Sequence, residues 1–170
     1  NANGELAGVA YDANGNPTAS NGNVDVYDFE NRLIRRTKAD GTVIDYLYDA
    51  NGQRVEKRKS GAALQPAIIG YLIDTQNPTG WPQCVAEVQW TGTTWQPVTT
   101  YTYGPQGPIS QWSATQGEHH FLLDAHGNVR ALTDATGNVV AAKDYDAYGL
   151  PLAMSAPTAP KTHLGYNGEY

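Results

Sequence analysis

With 170 residues and 40% hydrophobic side chains, the chain is long enough for one domain with a real core. Its net charge of −6 argues against a nucleic-acid partner, and no apolar run approaches the ~20 residues of a membrane-spanning helix. Cys84 is the only cysteine, so no disulfide forms within the chain, and the cellular compartment stays open on that evidence. Tyrosine (11) far outnumbers phenylalanine (2), and there are 18 glycines, a mixture suited to half-exposed strands joined by tight turns.

The chain opens "NANGELAG", without initiator Met, basic n-region or apolar h-region, and ends inside a pattern at "GYNGEY"; it reads as a piece of something longer. The first clear signal is "YDANGN" at 11–16, repeated as "YDANGQ" (48–53), "LDAHGN" (123–128), "TDATGN" (133–138) and "YDAYGL" (145–150). Asp-x-x-Gly fits a type I turn: Asp at the first position accepts from the backbone two residues on, and glycine at the fourth supplies the positive φ of a following bulge. The turn residues are therefore Asp12 and Gly15, Asp49 and Gly52, Asp124 and Gly127, Asp134 and Gly137, and Asp146 and Gly149. "DFEN" (28–31) is a variant starting at Asp28 with Asn31 in the left-handed position, and "KADG" (38–41) is another. Turns 10 to 12 residues apart leave room for one strand each, which predicts an all-β antiparallel meander of hairpins.

Between the turns, "TVIDYLYD" (42–49) places Thr42, Ile44, Tyr46 and Tyr48 on one face, and "NVRALTD" (128–134) places Val129 and Ala131 opposite Arg130 and Leu132. Tyr11, Tyr27, Tyr48 and Tyr145 each precede a turn Asp; their rings are expected to pack across strands and their hydroxyls to reach water or backbone at the sheet rim. A short helical turn is conceivable in 60–70, limited by Pro66. Segments 74–83, 90–97 and 103–112 read as longer irregular connections, and 151–163, rich in Pro, Ala and Thr, as a loop. No boundary justifies more than a single domain, 1–170.

The turns and the blocks "YLIDTQNPTGWPQCVAEV" (71–88), "YTYGPQGPISQ" (101–111), "HHFLLDAHGNVRALTDATGNVVAAKDYDAYG" (119–149) and "HLGYNGEY" (163–170) together resemble the Rhs repeat-associated core of the YD-repeat proteins, in family order and over nearly the whole chain. The resemblance implies a β-sheet spiral that forms part of a hollow shell, related to shells in toxin-complex C components and teneurins. It implies a structural segment that encloses a C-terminal toxin or effector polypeptide in a bacterial polymorphic toxin, exported or displayed at the cell surface. Its partners are then the rest of the parent chain and the enclosed polypeptide. The family's aspartyl self-cleavage segment follows the core; the chain stops before it and has no Asp-Pro dipeptide, so no catalytic residue is assigned and the segment is read as non-enzymatic. The Arg frequent after the family's turn glycine is here Asn16, Gln53, Asn128, Asn138 or Leu150.

No motif calls for a cofactor or metal. The turn aspartates lack the alternating oxygen spacing of a calcium loop, and adjacent His119 and His120 point to opposite faces of a strand. Cys84 reads as a small buried side chain, and "GPQGP" (104–108) lacks the Lys and helix of a phosphate loop. The rival reading is a carbohydrate or cell-surface binding module in which Trp81, Trp90, Trp95 and Trp112 stack on sugar rings. An unpaired sheet edge also makes a homodimer an expected association. Asn-Gly pairs at 3–4, 14–15, 21–22, 51–52 and 167–168 are chemically labile and are read as sites of ageing.

Overall fold

The computed structural model describes residues 6–61, 66–147, 149–154 and 159–165. Among them there is no helix, and the fold is all-β as the turns predict. Fourteen strands run β1 (Ala10–Tyr11), β2 (Pro17–Ser20), β3 (Asn23–Tyr27), β4 (Leu33–Thr37), β5 (Val43–Tyr48), β6 (Arg54–Ser60), β7 (Ala67–Asp74), β8 (Gln83–Trp90), β9 (Trp95–Gly104), β10 (Gly107–Ser113), β11 (Gly117–Leu123), β12 (Val129–Thr133), β13 (Val139–Tyr145) and β14 (Pro151–Met154). Sheet order follows chain order from β1 to β14, which is what tight reversals between neighbours must produce. The chain forms two compact units, Asn1–Tyr71 with Gln89–Thr94, and Leu72–Val88 with Trp95–Tyr170.

The turns share one construction. The Asp12 amide donates to the Asn16 carbonyl (3.0 Å) and the Gly15 amide to the Asp12 carbonyl (3.1 Å), and the same pair of bonds recurs at Asp28, Asp49, Asp124, Asp134 and Asp146. Gly15, Gly52, Gly127, Gly137 and Gly149 have φ between 79° and 87°, and Asn31 takes the equivalent place at 61°. Each turn is followed by a bulge: Leu47 pairs with Glu56 but Tyr48 with Arg54, so one residue of the outgoing strand is skipped. The same step occurs beside Tyr11, Tyr27, Leu123, Thr133 and Tyr145.

The bulge corrects a face assignment. Simple alternation sets Val129 against Leu132, yet the structure leaves both essentially unexposed, at 0% and 1%. Leu122 pairs with Ala131 and Leu123 with Val129, so Arg130 is the skipped residue and Val129 returns to the face of Leu132. In the second unit that face is built in rows: Tyr101, Gln111 and His119 are register partners, as are Phe121, Leu132 and Ala141, and all are buried. Their strand neighbours Trp112 and Leu122 are exposed.

In the first unit the strands are mostly half-buried and charge pairs tie them together. Register partners Asp25 and Arg36 form a two-pronged pair (2.7 and 2.6 Å), and Arg35 does the same with its partner Asp45 (2.5 and 3.0 Å). Asp25 is buried, so removing Arg36 alone would leave a buried carboxylate without its partner.

Three local readings change. Segments 90–97 and 103–112 are hairpins, with Thr91 closing onto Thr94 (3.0 Å) and β9 turning into β10 over 105–106; the strands simply lack an Asp turn to announce them. Within 151–163, Pro151–Met154 is strand β14, because Pro151 sits at a strand start where no ladder donor is needed. Asn21–Gly22 is a two-residue hairpin turn with both residues at positive φ (49° and 76°), joining β2 to β3. Of the expected helical turn in 60–70, residues 62–65 lie outside the described residues and Ala67–Gly70 belongs to β7. The 74–83 connection is irregular as expected, organised by Asn77, whose Nδ2 donates to the Asp74 and Trp81 carbonyls (3.0 and 2.7 Å).

A Cβ added at Gly137, φ +87°, would meet nothing within 4 Å. Gly137→Ala therefore isolates conformational strain, and urea unfolding should show a loss of about 1–2 kcal/mol, with Gly137→Asn closer to wild type.

Candidate functional site

The sequence-assigned motif residues all converge on one device. In each turn the Asp carboxylate Oδ1 accepts two backbone amides, two and four residues on: at Asp12 from Asn14 and Asn16 (both 2.9 Å), at Asp49 from Asn51 and Gln53 (2.9 and 2.8 Å), at Asp124 from His126 and Asn128 (both 3.0 Å). Asp28 and Asp134 do likewise, and Asp146 accepts from Leu150 at 2.9 Å. The second oxygen takes the side chain four residues on: Asn16 at Asp12, Asn128 at Asp124, Asn138 at Asp134. At Asp28 that place is held by Arg32 (2.7 Å), and the asparagines are the neutral substitutes for it. In the "KADG" turn Lys38 stands at the first position and keeps the backbone bonds, while Asp40 instead accepts from the Thr42 amide (2.8 Å).

These bonds favour the ionised carboxylate. The Asn16 side chain holds Asp12 below the ordinary range, the Asn128 side chain does so for Asp124, and the Thr136 hydroxyl with Asn138 brings Asp134 down to about 2.

The tyrosines before the turns bind backbone. Tyr48 donates to the Leu33 carbonyl (2.8 Å), Tyr145 to Val129 (3.2 Å), and Tyr103, though outside a YD pair, to Cys84 (3.0 Å). Leu33 and Val129 each open the preceding strand just after a turn, so a tyrosine ties its own turn to the one two reversals earlier, 28–31 for Tyr48 and 124–127 for Tyr145. The Tyr11 hydroxyl accepts from the Leu6 amide (3.1 Å), and burial raises the Tyr27 hydroxyl above its ordinary value. What covers the Tyr48 ring is the Arg32 guanidinium, 5.0 Å from its centre.

The four tryptophans occupy these places. Trp81 lies in the 75–82 connection and is 77% exposed, Trp90 ends β8, Trp95 begins β9, and Trp112 stands mid-β10 with Thr100 and Glu118 as register partners. Cys84 is buried. His119 is buried and His120 half-buried.

Sequence reasoning missed a second device in the second unit. Residues 159–165 cross the buried face as a strap held by main-chain bonds. Gln111 Nε2 donates to the Lys161 carbonyl (2.7 Å), Lys143 Nζ to Thr162 and Leu164 (3.1 and 3.2 Å), and the Val129 amide to Gly165 (3.0 Å). Leu164, within the strap, is fully buried. Beside these contacts, Glu87 Oε1, 3% exposed as a residue, accepts from the Tyr101 hydroxyl and meets His163 Nδ1, both at 2.7 Å. Burial, with the Glu87 charge beside it, keeps the Tyr101 hydroxyl protonated far above its ordinary range, and burial lowers Lys143. The available signal was Glu87 itself, one acid in the apolar run 84–88; its partners lie 14 and 76 residues away. A recess of about 410 Å³ opens beside the strap, lined by Thr99, Tyr101, Ser113, Lys161 and His163 among others.

A family model described as the teneurin YD-shell matches residues 2–170. The chain belongs to the teneurin YD-shell family. It is 28% identical over 150 residues to the tRNA3(Ser)-specific nuclease WapA of Bacillus spizizenii and 29% identical over 150 residues to the tRNA nuclease WapA of Bacillus subtilis. These matches span 87% of the present sequence but 6% of either relative. The crystal structure of TcdB2-TccC3 without its hypervariable C-terminal region aligns over 78% of the present sequence and 7% of its own, with 16% identity and a TM-score of 0.43. The described strands and turns of this YD-shell segment contain no group of three metal-binding side chains.

Two outcomes follow for the YD-shell turns and strap. A carboxylate held below 3.8 stabilises the folded state in full above about pH 4, and that contribution is lost as pH falls through the folded value, which for Asp134 is about 2. The urea midpoint should therefore drop between about pH 4 and pH 2, and Asp134→Asn should shrink the drop. Tyr101→Phe removes one of the donors to buried Glu87 and should lower stability by about 1–3 kcal/mol in urea unfolding at neutral pH.

Proposed function

We propose that this YD-shell segment is wall: a non-catalytic stretch of β-sheet that helps enclose a C-terminal toxin or effector polypeptide of its own parent protein, which is exported from or displayed on a bacterial cell. The carrying observation is the repetition of one Asp turn and one bulge along a sheet whose order never departs from sequence order. Such a unit extends a surface one strand at a time and presents no convergent catalytic group among the turn residues. The sheet order ends at β1 and β14, whose outer edges are where adjoining strands of a longer wall would pair. Relatives named as tRNA nucleases support an effector elsewhere in the parent, since the segment spans 6% of their length.

Native mass spectrometry of the full parent protein tests this reading. A C-terminal fragment, severed from the parent but retained by the repeat-bearing part and resistant to added protease, is the expected result. A single polypeptide whose C-terminal region is digested as fast as the free fragment contradicts enclosure. Titration of the segment with diverse glycans should give no saturable quenching of the tryptophan fluorescence.

A further inference from the structure

Three Asn-Gly pairs lie among the described residues, at 14–15, 21–22 and 51–52, and all six residues are exposed. Their chemistry is identical, but their surroundings differ. Succinimide formation needs the glycine amide nitrogen to lose its proton and reach the Asn Cγ. The Gly15 and Gly52 amides each donate to a turn carbonyl, from Asp12 and Asp49, at 3.1 Å. The amides on either side of the glycine, Asn14 and Asn16 in one turn, Asn51 and Gln53 in the other, are held by the same Asp carboxylate. The Asn14 side chain is further engaged by Asn31 Oδ1 (3.1 Å). Distorting either turn toward attack breaks several bonds together. At Asn21–Gly22 the two-residue turn has no Asp carboxylate, and neither the Asn21 side chain nor the Gly22 amide has a hydrogen-bond partner among the described residues.

We infer that Asn21 is the self-modifying member of the three described Asn-Gly pairs, and that the Asp turns protect Asn14 and Asn51. The Gly22 nitrogen, its proton taken by solvent base, attacks Asn21 Cγ; the new bond between them forms as the Cγ–Nδ2 bond breaks and ammonia leaves. Water then opens the five-membered succinimide at either carbonyl, giving aspartate or isoaspartate and one added negative charge. Isoaspartate inserts a methylene into the backbone at a turn of two residues. The Ser20–Asn23 pair that closes this turn cannot keep its register, so β2 loosens from β3. This inference is independent of the enclosure reading.

The test is peptide mapping by mass spectrometry of the intact protein aged at mildly alkaline pH, with isoaspartyl methyltransferase labelling of the products. Product at residue 21 should accumulate about tenfold or more faster than at 14 or 51, the factor set by breaking one or two net hydrogen bonds. In concentrated urea the three rates should converge. Equal rates in the folded protein, or a faster site at 14 or 51, overturn the inference. So does a lead of residue 21 that persists in urea, because the difference then resides in sequence and not in the turns.

Discussion

One carboxylate oxygen accepting two backbone amides is the interaction on which this structure rests. A type I turn followed by a bulge leaves amide donors pointing inward at the reversal, and an unsatisfied amide there costs about 1–3 kcal/mol. Aspartate at the first turn position satisfies two of them from a single short side chain. The glycine or asparagine at the fourth position supplies the left-handed backbone that the bulge requires. With both residues set, the reversal is fixed, and each outgoing strand begins with one skipped residue. That skip carries Val129 onto the same face as Leu132 and so decides which side chains form the buried rows.

The tyrosine completes the unit by acting between turns. Its hydroxyl reaches a carbonyl at the start of the preceding strand, as Tyr48 does to Leu33 and Tyr145 to Val129. A repeat so linked grows without a central hydrophobic mass. The first unit shows this most clearly, since charge pairs such as Asp25–Arg36 and Arg35–Asp45 share the load with half-buried apolar residues. The second unit adds a conventional core and closes it with the 159–165 strap, gripped through main-chain carbonyls and through the side chains of buried Leu164 and of His163, which meets Glu87.

What the sequence made legible was local. The Asp and Gly of each turn, Asn31 at positive φ, and the all-β class follow from residue types a few positions apart. The 90–97 and 103–112 hairpins were hidden because their turns use Thr and Pro-Gln without the Asp signature. The simple period of two failed at Val129 because a bulge adds a residue that no composition rule announces. The strap was beyond local reading: Gln111 meets Lys161 across 50 residues, and Glu87 meets His163 across 76.

If repetition of the Asp turn serves to extend a wall, the edges of this sheet continue into neighbouring strands of the parent protein. Electron cryomicroscopy of the full parent tests that most directly. The account predicts β1 and β14 hydrogen-bonded to preceding and following strands in one continuous sheet that encloses further protein density. A sheet ending at β1 or β14 against solvent, or a wall with an empty interior in the uncleaved parent, would contradict it.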